Sequence, residues 1–307
     1  MRVLVMGAGG VGGYFGARLV QAGYDVGFVA RGRHLEALQS QGLRVQSPRG
    51  DLVLERVNAA SDPAAFGQAD MVFFGVKLWD TAEAARLIQP AIGPDTAVIS
   101  FQNGVVKDEI LRDVVGTAHV VGGVCYIAAA IAEPGMIRHT GTMQKLVFGE
   151  YDGHESERVL RLRDACLRAG IDVEVSATIE RTIWEKFVFL VGLSGTTSLA
   201  RTSIGPIRTN ERARAFLHDV MHEVVQVANA QGIELPSDFA KNRLAFTDTV
   251  PAEMSSSMHG DLERGNRLEV EWLSGDVARR GAKLGVHTPC NRAIADILSV
   301  HSGGRQA

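Results

Sequence analysis

Residues 1–6 (MRVLVM) form a short apolar run, rich in β-branched side chains and closed by glycine. A run with no polar alternation predicts a strand buried on both faces, as in a parallel sheet. After the glycine-rich segment at 7–12, positions 11–22 take up helical spacing, with Gly23 placed to end the helix. Further strands are predicted at 25–29, 71–76, 97–101 and 120–126, with helices near 81–89 and 105–114. Strands alternating with helices imply βαβ units. Segments 43–46 and 52–57 flank a turn-rich Ser-Pro-Arg-Gly-Asp and read as an inserted hairpin.

Beyond about residue 178 the pattern changes to long amphipathic segments at 178–191, 211–231, 240–247, 269–284 and 291–300. The expected fold class is therefore α/β, a Rossmann-type doubly wound parallel sheet over 1–177 followed by an all-helical C-terminal domain over 178–307. The tail at 302–307 is expected to fray.

Composition narrows the function. A formal net charge of -3 over 307 residues gives no electrostatic case for nucleic acid or an anionic membrane. No apolar stretch approaches the roughly 18 residues of a membrane span, and the opening residues lack the pattern of a secretory signal. A cytoplasmic protein is expected. Cys125, Cys166 and Cys290 are too scattered for a disulfide framework or a zinc site, and Cys125 reads as core packing. His218 and His222 lie four apart with Glu223 adjacent, but H-D-V-M-H-E is not the H-E-x-x-H of a zinc protease helix, so no metal is expected. The departure from ordinary composition is glycine, 34 residues, or about 11% against a usual ~7%.

Six of those glycines fall between residues 7 and 16. Gly7, Gly9 and Gly12, with Gly10 and Val11 between them, make G-x-G-x-x-G after a strand and before a helix. The first glycine permits a tight turn, and the second lets backbone approach a pyrophosphate. The third lets helix and strand pack closely, so that the helix N-terminus faces the anion. The alternative is a glycine turn with no ligand. An NAD site places a carboxylate at the end of the second strand, whereas Gly27-Phe-Val-Ala-Arg31 ends on a guanidinium that suits a 2'-phosphate. This favours NADP, unless Arg31 is simply an exposed loop arginine. Lys77 and Asn103-Gly104 follow two other strands and are expected to face the same ligand.

In the second half, Lys186 sits among Trp184, Phe187 and Phe189, where a lysine is unusual unless its stem covers apolar surface. Leu190 and Ser194 share its helical face. Serines 255–257 precede an acid-containing segment and would ordinarily cap a helix, and Glu269 could be a surface charge.

Taken in order, GAGGVG, Val76-Lys77, Gln102-Asn-Gly104, PGMIRHTG at 134–141, WEKF at 184–187, SSMHGDLERGNRLEVEWLSG at 256–275 and HTPCN at 287–291 resemble the ketopantoate reductase (2-dehydropantoate 2-reductase) family. The resemblance spans nearly the whole chain. It implies reduction of a 2-oxo acid by NADPH, in a cleft between a Rossmann domain and a helical domain, on the route to pantothenate. It implies Lys186 and Glu269 as the catalytic pair, and Asn103, Lys186, Leu190, Ser194 and Ser257 as substrate positions. Gly7, Gly9, Gly10, Val11, Gly12, Arg31, Lys77, Asn103, Ala130 and Glu269 fall at cofactor positions. The chemistry suits these residue types. As hydride reaches the keto carbon its oxygen gains negative charge, which a nearby ammonium stabilises and protonates. A carboxylate beside the lysine favours its charged form.

The chain departs from the family where asparagines would follow the lysine by four and eight positions. Leu190 and Ser194 stand there, Ile204-Gly205 lies near a third, and Leu268 replaces a threonine before Glu269. A pocket that loses hydrogen-bonding groups and gains leucine should prefer a more apolar, branched or aromatic 2-oxo acid. Two rival functions share part of this pattern. A β-hydroxyacid dehydrogenase would carry asparagine at position 190, and a non-catalytic NADPH sensor would have no need of Lys186 and Glu269. The expected partners are the small-molecule 2-oxo acid and a second copy of the chain in a homodimer.

Overall fold

The computed structural model describes residues 1–305. They divide into two units, Met1–Asn103 with Lys107–Ile179, and Gly104–Val106 with Glu180 onward.

The first unit is built on a ten-stranded sheet. Its elements are β1 (Arg2–Met6), α1 (Gly10–Gln21), β2 (Asp25–Val29), α2 (Gly32–Gln41), β3 (Leu43–Gln46), β4 (Leu52–Leu54), β5 (Asn58–Ala60), β6 (Ala69–Phe74) and α3 (Thr81–Leu87). There follow β7 (Ile92–Ser100), α4 (Val106–Val115), β8 (Val120–Glu133), β9 (Met136–Gly149), α5 (Glu157–Arg168) and β10 (Asp172–Val175). Strand order is β4-β3-β9-β8-β7-β6-β1-β2-β5, with β10 on β9. The apolar run of β1 is buried on both faces as its pattern predicts. Val3 and Val5 join a core with α1 and α5, and Leu4 and Met6 join another with α3 and α4. The chain runs outward from β1 through β2, then returns to place β6 on the other side of β1. That reversal creates the crevice at the carboxyl ends where open α/β sheets bind ligands.

The sheet departs from all-parallel. β3 and β4 pair antiparallel, as an inserted hairpin should, but β3 also pairs with β9 and so extends the sheet. β8 runs on to Glu133 and returns antiparallel as β9. The alanine-rich stretch 128–132 carries little strand signal, and cross-hairpin pairing overrides it. Strand β6 ends at Phe74, two residues earlier than predicted, so Val76 and Lys77 lie in the turn beyond it.

The second unit contains α6 (Ile179–Ala200), α7 (Ile204–Thr209), α8 (Glu211–Ala230), α9 (Phe239–Phe246), α10 (Ser257–Arg264), α11 (Ser274–Leu284) and α12 (Pro289–Leu298), with no strand among the described residues. α8 packs against α7, α9, α11 and α12. The helix expected from Glu269 starts five residues later, after a single 3-10 turn at Val270–Trp272. The missing side chain of Gly275 leaves room there for the Val270 carbonyl and the Glu271 carboxylate.

The tail is tied down as far as it is described. Leu268 N–H donates to the Ser302 carbonyl (3.0 Å) and Arg305 N–H to that of Gly265 (2.8 Å), which corrects the expectation of fraying up to Arg305. Residues 306 and 307 lie outside the described range. Among the described residues no helix is long and apolar enough to cross a membrane.

Candidate active site

The glycines of the loop after β1 divide their tasks as the motif requires. Gly7 has φ +99°, and a Cβ there would lie 2.9 Å from the Val76 nitrogen, so this turn and the one after β6 need a bare backbone. A Cβ on Gly12 would fall 2.3 Å from the Gly7 carbonyl oxygen and 2.7 Å from Val5, which is the close helix-to-strand packing. A Cβ on Gly9 meets nothing within 4 Å. Gly9 is the residue before the first turn of α1, with no side chain capping that turn and no acidic residue in it. Free N–H groups beside open space at a helix N-terminus fit an anionic pyrophosphate. Gly10 serves the fold, because a Cβ there would meet the Ala129 carbonyl of β8 and the Ala130 Cα at 2.8 Å. Exposed Ala130 therefore stands beside the first turn of α1, and Val11 is half-buried against the core.

The end of β2 is pinned to the same loop, since Gly7 and Ala8 N–H both donate to the Val29 carbonyl (3.2 and 2.9 Å). Arg31 follows two residues later, and its guanidinium sits 3.8 Å from the Glu83 carboxylate, with both side chains more than half exposed (57% and 66%). Lys77 is exposed, its ammonium 5.6 Å from the centre of the Trp79 ring. Asn103 is half-buried in the loop after β7, with Gly104 at φ +92° behind it. Gln102 joins these last two loops. Its Nε2 donates to the Val76 carbonyl and to Thr81 Oγ1 (both 2.8 Å), and its Oε1 accepts from Ser100 Oγ (2.9 Å). The motif's glutamine is a strut between the turns bearing Lys77 and Asn103.

His34 on α2 went unnoticed in the sequence, where a lone histidine on a short helix gives no signal. Its Nε2 contacts the Ala8 carbonyl (2.8 Å), while Gly135 N–H donates to Nδ1 (3.1 Å). Accepting at Nδ1 and donating at Nε2 fixes the neutral tautomer. The imidazole links the glycine loop, α2 and the turn between β8 and β9. Burial holds its pKa below the ordinary 6.5, against the opposing hydrogen bond to Ala8. The unfolded chain therefore binds the proton first, so the stability His34 contributes is whole above that value and lost as pH falls below it. We expect the urea midpoint to drop between pH 7.5 and 5.5. The drop should be smaller in His34→Gln, whose amide can make both bonds without titrating. Equal drops would show that His34 is not the titrating latch.

In the helical unit, Trp184 and Phe187 are buried, with ring centres 5.6 Å apart in an edge-to-face pair, while Lys186 is half-buried. The lysine's face carries half-buried Leu190 and then fully buried Ser194. Thr197 Oγ1 lies 3.4 Å from Ser256 Oγ, which sets the start of α10 beside α6. Ser256, not Ser257, is the cap, accepting from His259 N–H (3.0 Å). Ser257 is exposed at the first helical position, free of the capping task. Glu269 is 9% exposed, at the residue before the 3-10 turn, and its carbonyl accepts from Trp272 N–H (3.0 Å).

Other parts of the long motif hold the fold. Asp261 Oδ1 accepts from Arg264 (2.9 Å) and Asn266 (3.0 Å), closing α10 over Gly265. Glu223 takes Cys290 N–H (2.7 Å), Asn291 N–H (2.9 Å) and Asn291 Nδ2 (2.8 Å), so a carboxylate from α8 caps α12. α12 has no acidic residue in its own first turn, which was the available clue. His218 and His222 stack with ring centres 5.8 Å apart, and among the described residues no group of His, Cys, Asp and Glu could hold a metal ion. Cys125 is buried, with its Sγ 3.2 Å from the Phe101 carbonyl.

Comparison with known proteins decides the family. Residues 3–153 match Ketopantoate reductase PanE/ApbA, and residues 178–302 match Ketopantoate reductase PanE/ApbA C terminal. The chain belongs to the ketopantoate reductase family. It is a family of NADPH-dependent oxidoreductases acting on CH–OH groups. The chain is 34% identical to 2-dehydropantoate 2-reductase of Archaeoglobus fulgidus, with 98% of each chain covered. It is 32% identical to the uncharacterized oxidoreductase YkpB of Bacillus subtilis, over 98% of this chain and 99% of that one. Among solved structures, a PanE/ApbA family ketopantoate reductase from Ralstonia eutropha JMP134 superposes with a TM-score of 0.90, at 34% identity and 98% coverage of both chains.

Proposed function

We propose that the protein reduces a 2-oxo acid to the 2-hydroxy acid with NADPH, as a 2-dehydropantoate 2-reductase does. The observation that carries this reading is that the family match continues through the helical unit, which a cofactor-binding sensor would not need. A cytoplasmic location and a homodimer belong to the same reading and rest on the resemblance alone.

When bound, NADPH supplies the hydride that reaches the keto carbon. The chain's own residues have separate tasks. The N–H groups at Gly9, Gly10 and Val11 would receive the pyrophosphate, with Gly7 and Gly12 shaping the loop and Lys77 and Ala130 flanking the ligand. Arg31 would hold the 2'-phosphate. Its exposed pair with Glu83 is worth at most about 1 kcal/mol. A charge-assisted hydrogen bond to phosphate contributes roughly 1.5–3 kcal/mol, so the phosphate wins the guanidinium. The Lys186 ammonium would stabilise the substrate oxygen as it gains charge and then give it a proton. Glu269 would hold that ammonium in place, Ser257 would hydrogen-bond the substrate carboxylate, and Asn103 would orient the reacting groups.

A second reading concerns the substrate. Leu190 and Ser194 replace amide side chains, and Leu190 is half-buried with an apolar surface to offer. We expect initial-rate comparisons with NADPH to give apolar branched or aromatic 2-oxo acids a kcat/KM about tenfold or more above that of 2-dehydropantoate. A clear preference for 2-dehydropantoate would sink this version and leave the first standing.

A further inference from the structure

α4 begins with a charge pair that the proposed reaction does not use. Lys107 is 1% exposed and Asp108 3%, and the hydrogen bonds described for them go to each other, to the end of β7 and to Tyr151. Lys107 Nζ donates to the Ser100 carbonyl (3.1 Å), the last residue of β7, and to Asp108 Oδ2 (2.7 Å). Tyr151 Oη donates to the same carboxylate oxygen (2.7 Å), and the Arg112 guanidinium lies 3.7 Å from the centre of the Tyr151 ring. Asp108 Oδ1 is buried with no hydrogen-bond partner among the described residues.

A buried ion pair with an unsatisfied oxygen is a poor way to stabilise a helix start, because desolvating both charges offsets most of their attraction. Two apolar side chains of similar size would hold α4 against the sheet as well or better. Apolar contacts are non-directional, however, whereas the ammonium fixes where α4 begins relative to the end of β7. Between Ser100 and Lys107 lie Phe101-Gln-Asn-Gly-Val-Val106, with Asn103 in the middle. Gln102 ties the first side of this loop to Val76 and Thr81, as described above, and Lys107 ties its far end back to Ser100.

We propose that Lys107, Asp108 and Tyr151 form a positioning network that sets the height and orientation of the Asn103 loop for the reaction. This rests on the reading of Asn103 as a substrate- and cofactor-facing residue. The network acts through Asn103 and touches no substrate.

The test compares four variants with the wild type in NADPH-dependent 2-oxo acid reduction. They are Lys107→Met/Asp108→Leu, which removes both charges together, Tyr151→Phe, Asn103→Ala, and the triple variant combining the first and third. The double variant is expected to fold with an unchanged or higher Tm and to bind NADPH as the wild type does. Its kcat should fall about tenfold or more, as a loop misplaced by a fraction of an ångström would cause. Tyr151→Phe should lower kcat about two- to fivefold, since one of the network's hydrogen bonds is lost. The triple variant should be no slower than Asn103→Ala, because the network has nothing left to position.

A folded double variant with full kcat overturns the proposal, as does a triple variant whose losses multiply. If the double variant does not fold, Tyr151→Phe decides, and wild-type kcat there overturns it. Full activity in Asn103→Ala would instead overturn the reading of Asn103, a result separate from the first two.

Discussion

Lys186→Met is expected to abolish most of the reductase activity while leaving the fold and NADPH binding as they are. Methionine keeps the length and apolar stem of lysine, and the position is only half-buried, so packing should be preserved. What is lost, on the proposed mechanism, is the group that would answer the charge developing on the substrate oxygen. General acid catalysis by a positioned side chain contributes about 10²–10⁴-fold, and kcat and kcat/KM should fall together by that amount. A fall in kcat/KM through KM alone would mean that Lys186 only binds substrate. Near-normal rates would remove it from the mechanism.

The second large effect separates two glycines three residues apart. Gly9→Ala places a methyl group in open space, so Tm should be unchanged. The same methyl group would stand where backbone must approach the pyrophosphate. Losing two or three charge-assisted hydrogen bonds costs several kcal/mol, so NADPH affinity should drop by about 10²-fold or more. Gly12→Ala sets a methyl group 2.3 Å from the Gly7 oxygen, and the loop or α1 must shift to admit it. Its Tm should fall by several degrees, with the affinity loss following from the distorted loop. Thermal melts and NADPH titrations of the two variants side by side distinguish these outcomes. If Gly9→Ala binds NADPH normally, the open space at Gly9 is not the anion site.

These glycines show how much the sequence made legible. The positions of β1, α1 and β2 follow from local pattern because each is a short element whose own apolar run or helical spacing carries the signal. The strands missed, β5, β9 and β10, owe their existence to partners elsewhere in the sheet. β9 carries His139, Gly141 and Gln144, which interrupt its strand signal, and it is held in the sheet by β8, β3 and β10. α10 was hidden because a helix of eight residues with Gly260 in its middle shows weak periodicity. The serines at 255–257, read as a cap, do cap that helix, and it is Ser256 that takes the task and leaves Ser257 exposed.

The candidate site divides along similar lines. Residues named by motif, such as Gly9, Asn103 and Lys186, could be read off the chain, whereas the buried polar ties that hold loops and helix ends could not. Gln102, His34, Glu223 and Lys107 act across 21 to 101 residues of sequence, or bury a charge that reads as surface until the fold is known. Long-range hydrogen bonds leave no periodic trace. Their only advance sign is a deficiency elsewhere, such as the acid-free first turn of α12.

The central claim is that this chain turns over a 2-oxo acid at the expense of NADPH. Purified protein supplied with NADPH and a panel of 2-oxo acids that includes 2-dehydropantoate tests it most directly, with the 2-hydroxy acid and the oxidised cofactor quantified together. The account predicts equal amounts of the two products from at least one 2-oxo acid, and neither from Lys186→Met at a comparable rate. Tight binding of NADPH with no 2-oxo acid consumed would contradict it and point to a cofactor-binding protein without catalysis.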